Sequence, residues 1–353
     1  MRPTQYIPEL DGVRAIAVLL VLWTHVPEGT IGAAADSWRL LLNTGYMGVD
    51  IFFVLSGFLI TRILLVDREK GLPLRYFLVR RFLRIFPIYY LTLGVIAVVR
   101  GGPELPWCFA YLANFYFPFH EHASPVQHTW SLAVEEHFYL VWPFIVHLLP
   151  YRRSLLAILL GIMPMAFLSC VVAIKTLDPP VALQFVYAGS MFRALSLGFG
   201  ALLAYAESWF RAKRQRPLGV ALVCLVLWII LFVFVQWFPR LFHPWREWYP
   251  LTRLFAFGSL SMAVLLTCLG ITGTSWGLLF RNRPFVYTGR ISYGLYLYHY
   301  PIFTALGLTQ GKPLQHATLW VMLALASTFL VASLSFYALE RPILKFGSRF
   351  RAR

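Results

Sequence analysis

Four stretches of this chain, residues 155–174, 218–238, 254–280 and 317–339, contain no Asp, Glu, Lys or Arg. Each is close to or above the roughly 20 apolar residues that a helix needs to cross a bilayer. Six weaker apolar runs, at 12–27, 45–66, 82–99, 130–149, 191–206 and 293–309, are interrupted by isolated polar or charged residues. The pattern predicts an all-α fold, a polytopic integral membrane bundle of about ten transmembrane helices. The connections are short, and neither an internal repeat nor a low-complexity tract divides the chain, so one domain over residues 1–353 is expected.

Composition agrees. Of the 353 residues 59% are hydrophobic and 13% charged, where a soluble domain is about 25% charged. The net charge of +16 would suit a nucleic-acid binder, but its distribution fits membrane topology and no nucleic-acid partner is expected. With the first helix starting in the cytoplasm, the inner segments hold 21 Lys and Arg and the outer segments 8. The positive-inside rule then puts both termini in the cytoplasm. Arg14 interrupts the first apolar run, and no small-residue cleavage pattern follows it, so no cleavable signal peptide is expected. The four cysteines are far apart, and three lie in apolar spans. They read as packing residues, with no disulfide framework and no zinc set.

Ionisable residues inside apolar runs are costly and usually face a partner or a wet cavity. The first run, "ELDGVRAIAVLLVLWTHV", carries Asp11, Arg14 and His25. Asp11 and Arg14 are at i, i+3 and can pair. Arg14 and His25 are eleven residues apart, about three turns plus 20°, so they share a face about 16 Å apart along the axis. A structural role for a lone His in an apolar helix is the simpler reading, but the aligned Arg14 favours a polar track. An imidazole there can act as a general base or carry an acyl group as a nucleophile. The second run has Asp50 near its outer entrance and Arg62 near its inner end, with Gly48, Ser56 and Gly57 permitting close helix packing.

In "LRYFLVRRFLRIFPIYY", Arg75, Arg80, Arg81 and Arg84 cluster at the expected cytoplasmic mouth. Besides marking topology, they form a candidate anion clamp, because the guanidinium fork matches phosphate. In "HTWSLAVEEHFYLVWP", Glu135 and Glu136 lie at about the expected depth of His25. Adjacent helical residues point about 100° apart, so the two acids should not face one small cavity equally; Glu136 is the preferred one. His120, His122 and His128, with Glu121, lack a specific zinc spacing, so no metal is expected. His299 reads as a structural hydrogen-bonding residue. The aromatic-rich loops at 100–129 and 236–253, the latter with Trp237, Trp245, Trp248 and Tyr249, fit an interfacial belt or a sugar-stacking platform.

The segments "LDGVRAIAVLLVLWTH", "GYMGVDIFFVLSGFLIT", "RRFLRIFP", "TWSLAVEEHFYLVWP", "ISYGLYLYHYP" and "FYALERP" together resemble the type-three acyltransferase family of bacterial membrane proteins, which modify O-antigens, exopolysaccharides and other glycans. The resemblance covers nearly the whole chain in family order. It implies ten core helices in the bacterial inner membrane, a cytoplasmic acyl-CoA donor such as acetyl-CoA, and an acceptor on the outer side. It places the family's essential histidine at His25, its helix-one arginine at Arg14 and its R-x-x-R motif at Arg81 and Arg84. The acidic motif falls on Trp130 to Tyr139, with His137 where relatives often have Gln. Leu195 stands where relatives often have an acid after Arg193. Some relatives carry a fused extracytoplasmic hydrolase-like domain, and none is expected here.

The expectation is therefore an acyl-CoA-dependent O-acyltransferase. Arg14, Arg80, Arg81 and Arg84 would receive the donor, and His25 with Glu136 or Glu135 would carry out catalysis. A transporter or flippase of a lipid-linked glycan is the main alternative, and a scaffold with a degenerate site a weaker one.

Overall fold

A computed structural model of the protein describes residues 6–28, 30, 44–120, 124–212, 219, 222, 223, 225–227, 229, 230, 248–309 and 316–350. These residues form helices, turns and loops with no strand. The main helices are α1 (Pro8–Thr24), α2 (Thr44–Glu69), α3 (Leu74–Val99), α4 (Trp130–Leu148), α5 (Tyr151–Thr176) and α6 (Pro179–Ala188). They continue with α7 (Ser190–Ala212), α8 (Tyr249–Ile271), α9 (Arg283–Arg290), α10 (Ser292–Ala305), α11 (Ala317–Ser335) and α12 (Arg341–Gly347).

Among the described residues, five helices are long and apolar enough to cross a membrane: Met47–Glu69 within α2, α3, α5, α8 and the continuous run Ala317–Phe350. A sixth arises if α6 and α7, bent by 41° at their junction, count as one broken span. This is a multi-pass pattern, but it falls short of the ten spans expected from hydropathy. The reasons are local. The 17-residue α1 carries Glu9, Asp11 and Arg14, α4 carries Glu135, Glu136 and His137, and α10 has only 14 residues. Most of the run 218–238 lies outside the described residues, as do His122, Trp237 and Trp245. The run expected at 254–280 ends as a helix at Ile271 and turns at Gly273, whose φ of 77° suits glycine.

Burial sorts the spans. In both α2 and α8, 72% of the apolar window is buried inside the protein, against 17% in α5. α2 is therefore the central post, packed on α1, α7, α8 and α4, while the apolar faces of α3, α5 and α11 point outward, where a bilayer would cover them. Glycine sets the closest approach. A Cβ on Gly57 would lie 2.0 Å from the Leu197 carbonyl oxygen, and one on Gly200 would lie 1.9 Å from that of Val54. The α2–α7 contact thus depends on both residues lacking a side chain, as membrane helix interfaces commonly do.

At the same interface Arg193 Nη1 on α7 donates to both carboxylate oxygens of Asp50 on α2, at 3.1 and 3.0 Å, and Ser196 Oγ donates to Asp50 at 2.5 Å. Both charges are buried, Asp50 fully and Arg193 at 3% exposure. Buried pairs are weak net stabilisers, but removing one partner strands the other, typically costing about 3–5 kcal/mol. Asp50→Ala should lower the detergent-solubilised melting midpoint markedly, whereas the double change Asp50→Leu with Arg193→Met should recover most of it. Equal melting of wild type and Asp50→Ala would show that the pair does not hold α2 to α7. Arg193, with Leu195 where relatives often have an acid, thus pairs with an acid on α2. Arg62 likewise pairs with Glu207 on α7 at 3.0 Å.

Three cysteines, Cys108, Cys170 and Cys268, are buried free thiols; Cys224 lies outside the described residues. In the 100–129 loop, short helices at Leu105–Phe109 and Ala113–Tyr116 bring Trp107 against Tyr116, and His120 stacks on Tyr116 while bonding its carbonyl.

Candidate active site

The start of α1 is set by Pro8 in the first turn, where no amide proton is needed, and by Glu9 and Asp11, which favour a helix N-terminus. Asp11 then accepts from Arg14 at 2.8 Å, the i, i+3 pair expected from spacing. Opposite, α3 turns Arg80, Arg81 and Arg84 toward the same end of the bundle. Here a cavity of about 440 Å³ is lined by Asp11, Arg14, Arg62, Lys70, Arg80, Arg81 and Arg84, with Leu344, Gly347 and Ser348 from the C-terminal segment.

The arginines in it are not equivalent. Arg80 is tied to Asp67 and to the Phe350 carbonyl. Arg81 lies over the rings of Phe77 and Tyr139, at 5.7 and 5.3 Å. Among the described residues neither Arg81 nor Arg84 is within ion-pair distance of a carboxylate. The local pattern put all three at one mouth, but only tertiary contacts show that Arg80 is already neutralised.

A second, smaller cavity of about 100 Å³ adjoins the first. Arg14, Leu59, Arg81 and Arg84 line both, so these residues form the neck between mouth and inner chamber. The chamber is walled by Phe52, Phe53, Ser56, Ser131, Leu132, Glu135, Glu136, Tyr139, Tyr293 and Tyr296. Glu135 accepts from the Tyr139 hydroxyl at 3.1 Å, and that hydroxyl also meets Ser56 Oγ at 2.5 Å. Glu136 reaches the same chamber, and its buried Oε1 has no hydrogen-bond partner. Both carboxyls therefore line one cavity, in different environments, where spacing could not decide between them and Glu136 was the preferred one. Tyr139 stands at i+4 from Glu135, so the spacing contained its signal. Tyr293 and Tyr296, more than 150 residues away, had none.

His25 lines neither cavity. It closes α1 with its backbone at φ −89°, ψ 0°, and its Nδ1 lies 2.8 Å from the Val21 carbonyl oxygen. A carbonyl can only accept, so Nδ1 carries the proton and Nε2 is left as the basic nitrogen. Among the described residues no hydrogen bond joins His25 to Glu135 or Glu136. Instead its ring lies 5.0 Å from that of His299 and 5.1 Å from that of Tyr300. Tyr296 connects the two regions. It lines the inner chamber, shares a 2.5 Å bond with Ser131, and packs its ring against His128 and His299 at 5.6 and 5.5 Å. His137 turns elsewhere, bonding Ser190 Oγ at 2.6 Å.

The acyltransferase-domain family model matches residues 7–338. The chain is 33% identical to the peptidoglycan O-acetyltransferase OatA of Listeria monocytogenes, over 97% of this chain and 56% of that protein. It is 32% identical to the putative peptidoglycan O-acetyltransferase YrhL of Bacillus subtilis, over 99% of this chain and 56% of that protein. The O-acetyltransferase OatA of Staphylococcus aureus is 26% identical, over 98% of this chain and 58% of its own length. The chain thus spans little more than half the length of these curated relatives. No solved structure matches. With the family model covering nearly all of a multi-pass helical chain, this chain belongs to the acyltransferase-domain (acyltransferase 3) family.

Proposed function

We propose that this protein moves an acetyl group from acetyl-CoA to a hydroxyl of a cell-envelope glycan, peptidoglycan being the glycan named for two of its relatives. One observation carries the reading. The two cavities meet at Arg14, Arg81 and Arg84, and the latter two guanidiniums have no carboxylate partner among the described residues. An anionic head is held at that neck, because charge-assisted Arg–phosphate bonds are strong and often bidentate. The neutral, amide-bearing arm of the donor continues inward, where the free Glu136 Oε1 accepts an amide proton. Phe52, Phe53 and Leu132 give the inner chamber an apolar wall against which a short acyl group packs.

In the transfer step the acceptor hydroxyl oxygen attacks the thioester carbonyl carbon and the C–S bond breaks. His25 Nε2 takes the hydroxyl proton and returns it to the departing thiolate. The Tyr296 hydroxyl, bonded to Ser131 and to the His128 carbonyl, stands on the wall between chamber and histidine. The Tyr296 side chain has to swing aside for the carbonyl to meet His25. The arginine mouth faces the cytoplasm of the inner membrane, with both termini on that side, and the histidine end faces outward.

The test is transfer of radiolabel from acetyl-CoA by the purified chain in lipid nanodiscs to an envelope glycan extract. Labelled glycan with stoichiometric CoA release is the expected result. Glycan moved across the bilayer chemically unchanged, with no CoA formed, would overturn the reading in favour of a flippase.

A further inference from the structure

The histidine end of the path holds more than His25. His128, in the turn before α4, is 5% exposed, and His299, on α10, is fully buried. Their rings lie 5.2 Å apart, and His299 lies 5.0 Å from His25. Each of the three imidazoles is fixed in the same way. His25 Nδ1 lies 2.8 Å from Val21 O, His128 Nε2 lies 3.1 Å from Leu297 O, and His299 Nδ1 lies 2.6 Å from Tyr296 O. Carbonyl oxygens only accept, so in each ring that nitrogen carries the proton and the other is a bare acceptor. Both remaining buried nitrogens, His128 Nδ1 and His299 Nε2, have no partner.

Tyr300 does not fill the gap. Its ring stacks on His128 and meets His25 edge-on, but its hydroxyl donates outward to Gln127 Oε1 at 2.9 Å, at an exposed rim. Among the described residues no set of three His, Cys, Asp or Glu side chains is arranged to hold a metal ion. What the cluster lacks is a hydrogen-bond donor. Buried acceptors are rarely left without one, and sugar hydroxyls are neutral donors that come in adjacent groups.

We propose that His128 and His299 form, with His25, the acceptor subsite, beside the ring of Tyr300. There His128 Nδ1 and His299 Nε2 accept hydrogen bonds from neighbouring hydroxyls of a glycan while His25 faces the reacting one. The assignment of the reacting hydroxyl rests on the transfer reading above; the binding itself does not.

The experiment therefore measures binding without donor. The full chain in nanodiscs is titrated with a labelled N-acetylglucosamine–N-acetylmuramic acid oligosaccharide in the absence of acetyl-CoA. His128→Ala and His299→Ala should each weaken binding about tenfold, the loss of one hydrogen bond to substrate, and leave acetyl-CoA affinity within about twofold. His128→Asn and His299→Gln, which keep a polar side chain able to accept, should recover most of the loss and guard against misfolding as the cause. Unchanged oligosaccharide binding in the alanine variants, an equal loss of acetyl-CoA affinity, or a wild type that does not bind the oligosaccharide would each overturn the subsite. A wild type that binds the oligosaccharide through His128 and His299 but transfers no label would overturn the transfer reading and leave the subsite standing.

Discussion

His25→Ala is expected to lower kcat for acetyl transfer by about 10²–10⁴-fold, the usual contribution of a positioned general base, with little change in acetyl-CoA affinity. The separation follows from geometry. His25 lines neither the arginine mouth nor the inner chamber, where the proposed donor would sit. Its Nδ1 proton is committed to Val21, so the imidazole meets its substrate only through Nε2. Steady-state kinetics with labelled acetyl-CoA, paired with direct donor binding, would check this. A loss confined to the KM for acetyl-CoA would place His25 in donor binding, and equal turnover by both proteins would remove it from the chemistry.

Changing Arg81 and Arg84 together to Ala should act on the opposite kinetic parameter. Each guanidinium free to bind a phosphate offers charge-assisted hydrogen bonds worth about 1.5–3 kcal/mol, so the double variant should raise the KM for acetyl-CoA by about 10²-fold or more. The effect on acceptor binding should be small. Arg80→Ala provides the contrast. Arg80 is already bonded to Asp67 and the Phe350 carbonyl, so its loss should loosen the C-terminal segment at the mouth more than it weakens the donor. Lysine at position 81 should restore charge but not the planar fork, and so recover only part of the affinity. Donor binding by calorimetry across a salt series reads both effects, since ion pairing at an open mouth weakens as salt screens it. Arg80→Ala matching the double variant would invalidate the distinction between paired and unpaired arginines.

Part of this site was legible in one dimension. The Asp11–Arg14 pair is an i, i+3 contact within a single helix, and the 2.8 Å bond in the structure is what that spacing implies. The clustering of Arg80, Arg81 and Arg84 at one mouth follows from a single stretch of α3 in the same way. The placing of Glu135 against Glu136 was less legible. A 100° step separates their directions, yet both reach the chamber, because it extends along α4 between Tyr139 and Tyr293 and is not a point on its axis. Among the described residues the expected count of ten spans is not confirmed, and the apolar runs that carry charges, as in α1 and α4, are among those that do not qualify.

By itself the sequence determined a helical, lipid-facing chain with a basic mouth, a lone histidine eleven residues beyond Arg14, and a pair of acids in a fourth helix. These are all statements about hydrophobic period and charge within windows of a few turns, where backbone geometry alone decides which side chains are neighbours. Only the tertiary structure decided which of those groups meet. It joined Asp50 to Arg193, neutralised Arg80 while leaving Arg81 and Arg84 unpaired, and put Tyr296 between the glutamates and the histidines. It also gathered His25, His128 and His299 from segments more than 100 residues apart. Contacts of that kind depend on which faces pack, and here on glycines such as Gly57 and Gly200 letting two helices approach, which no local spacing records.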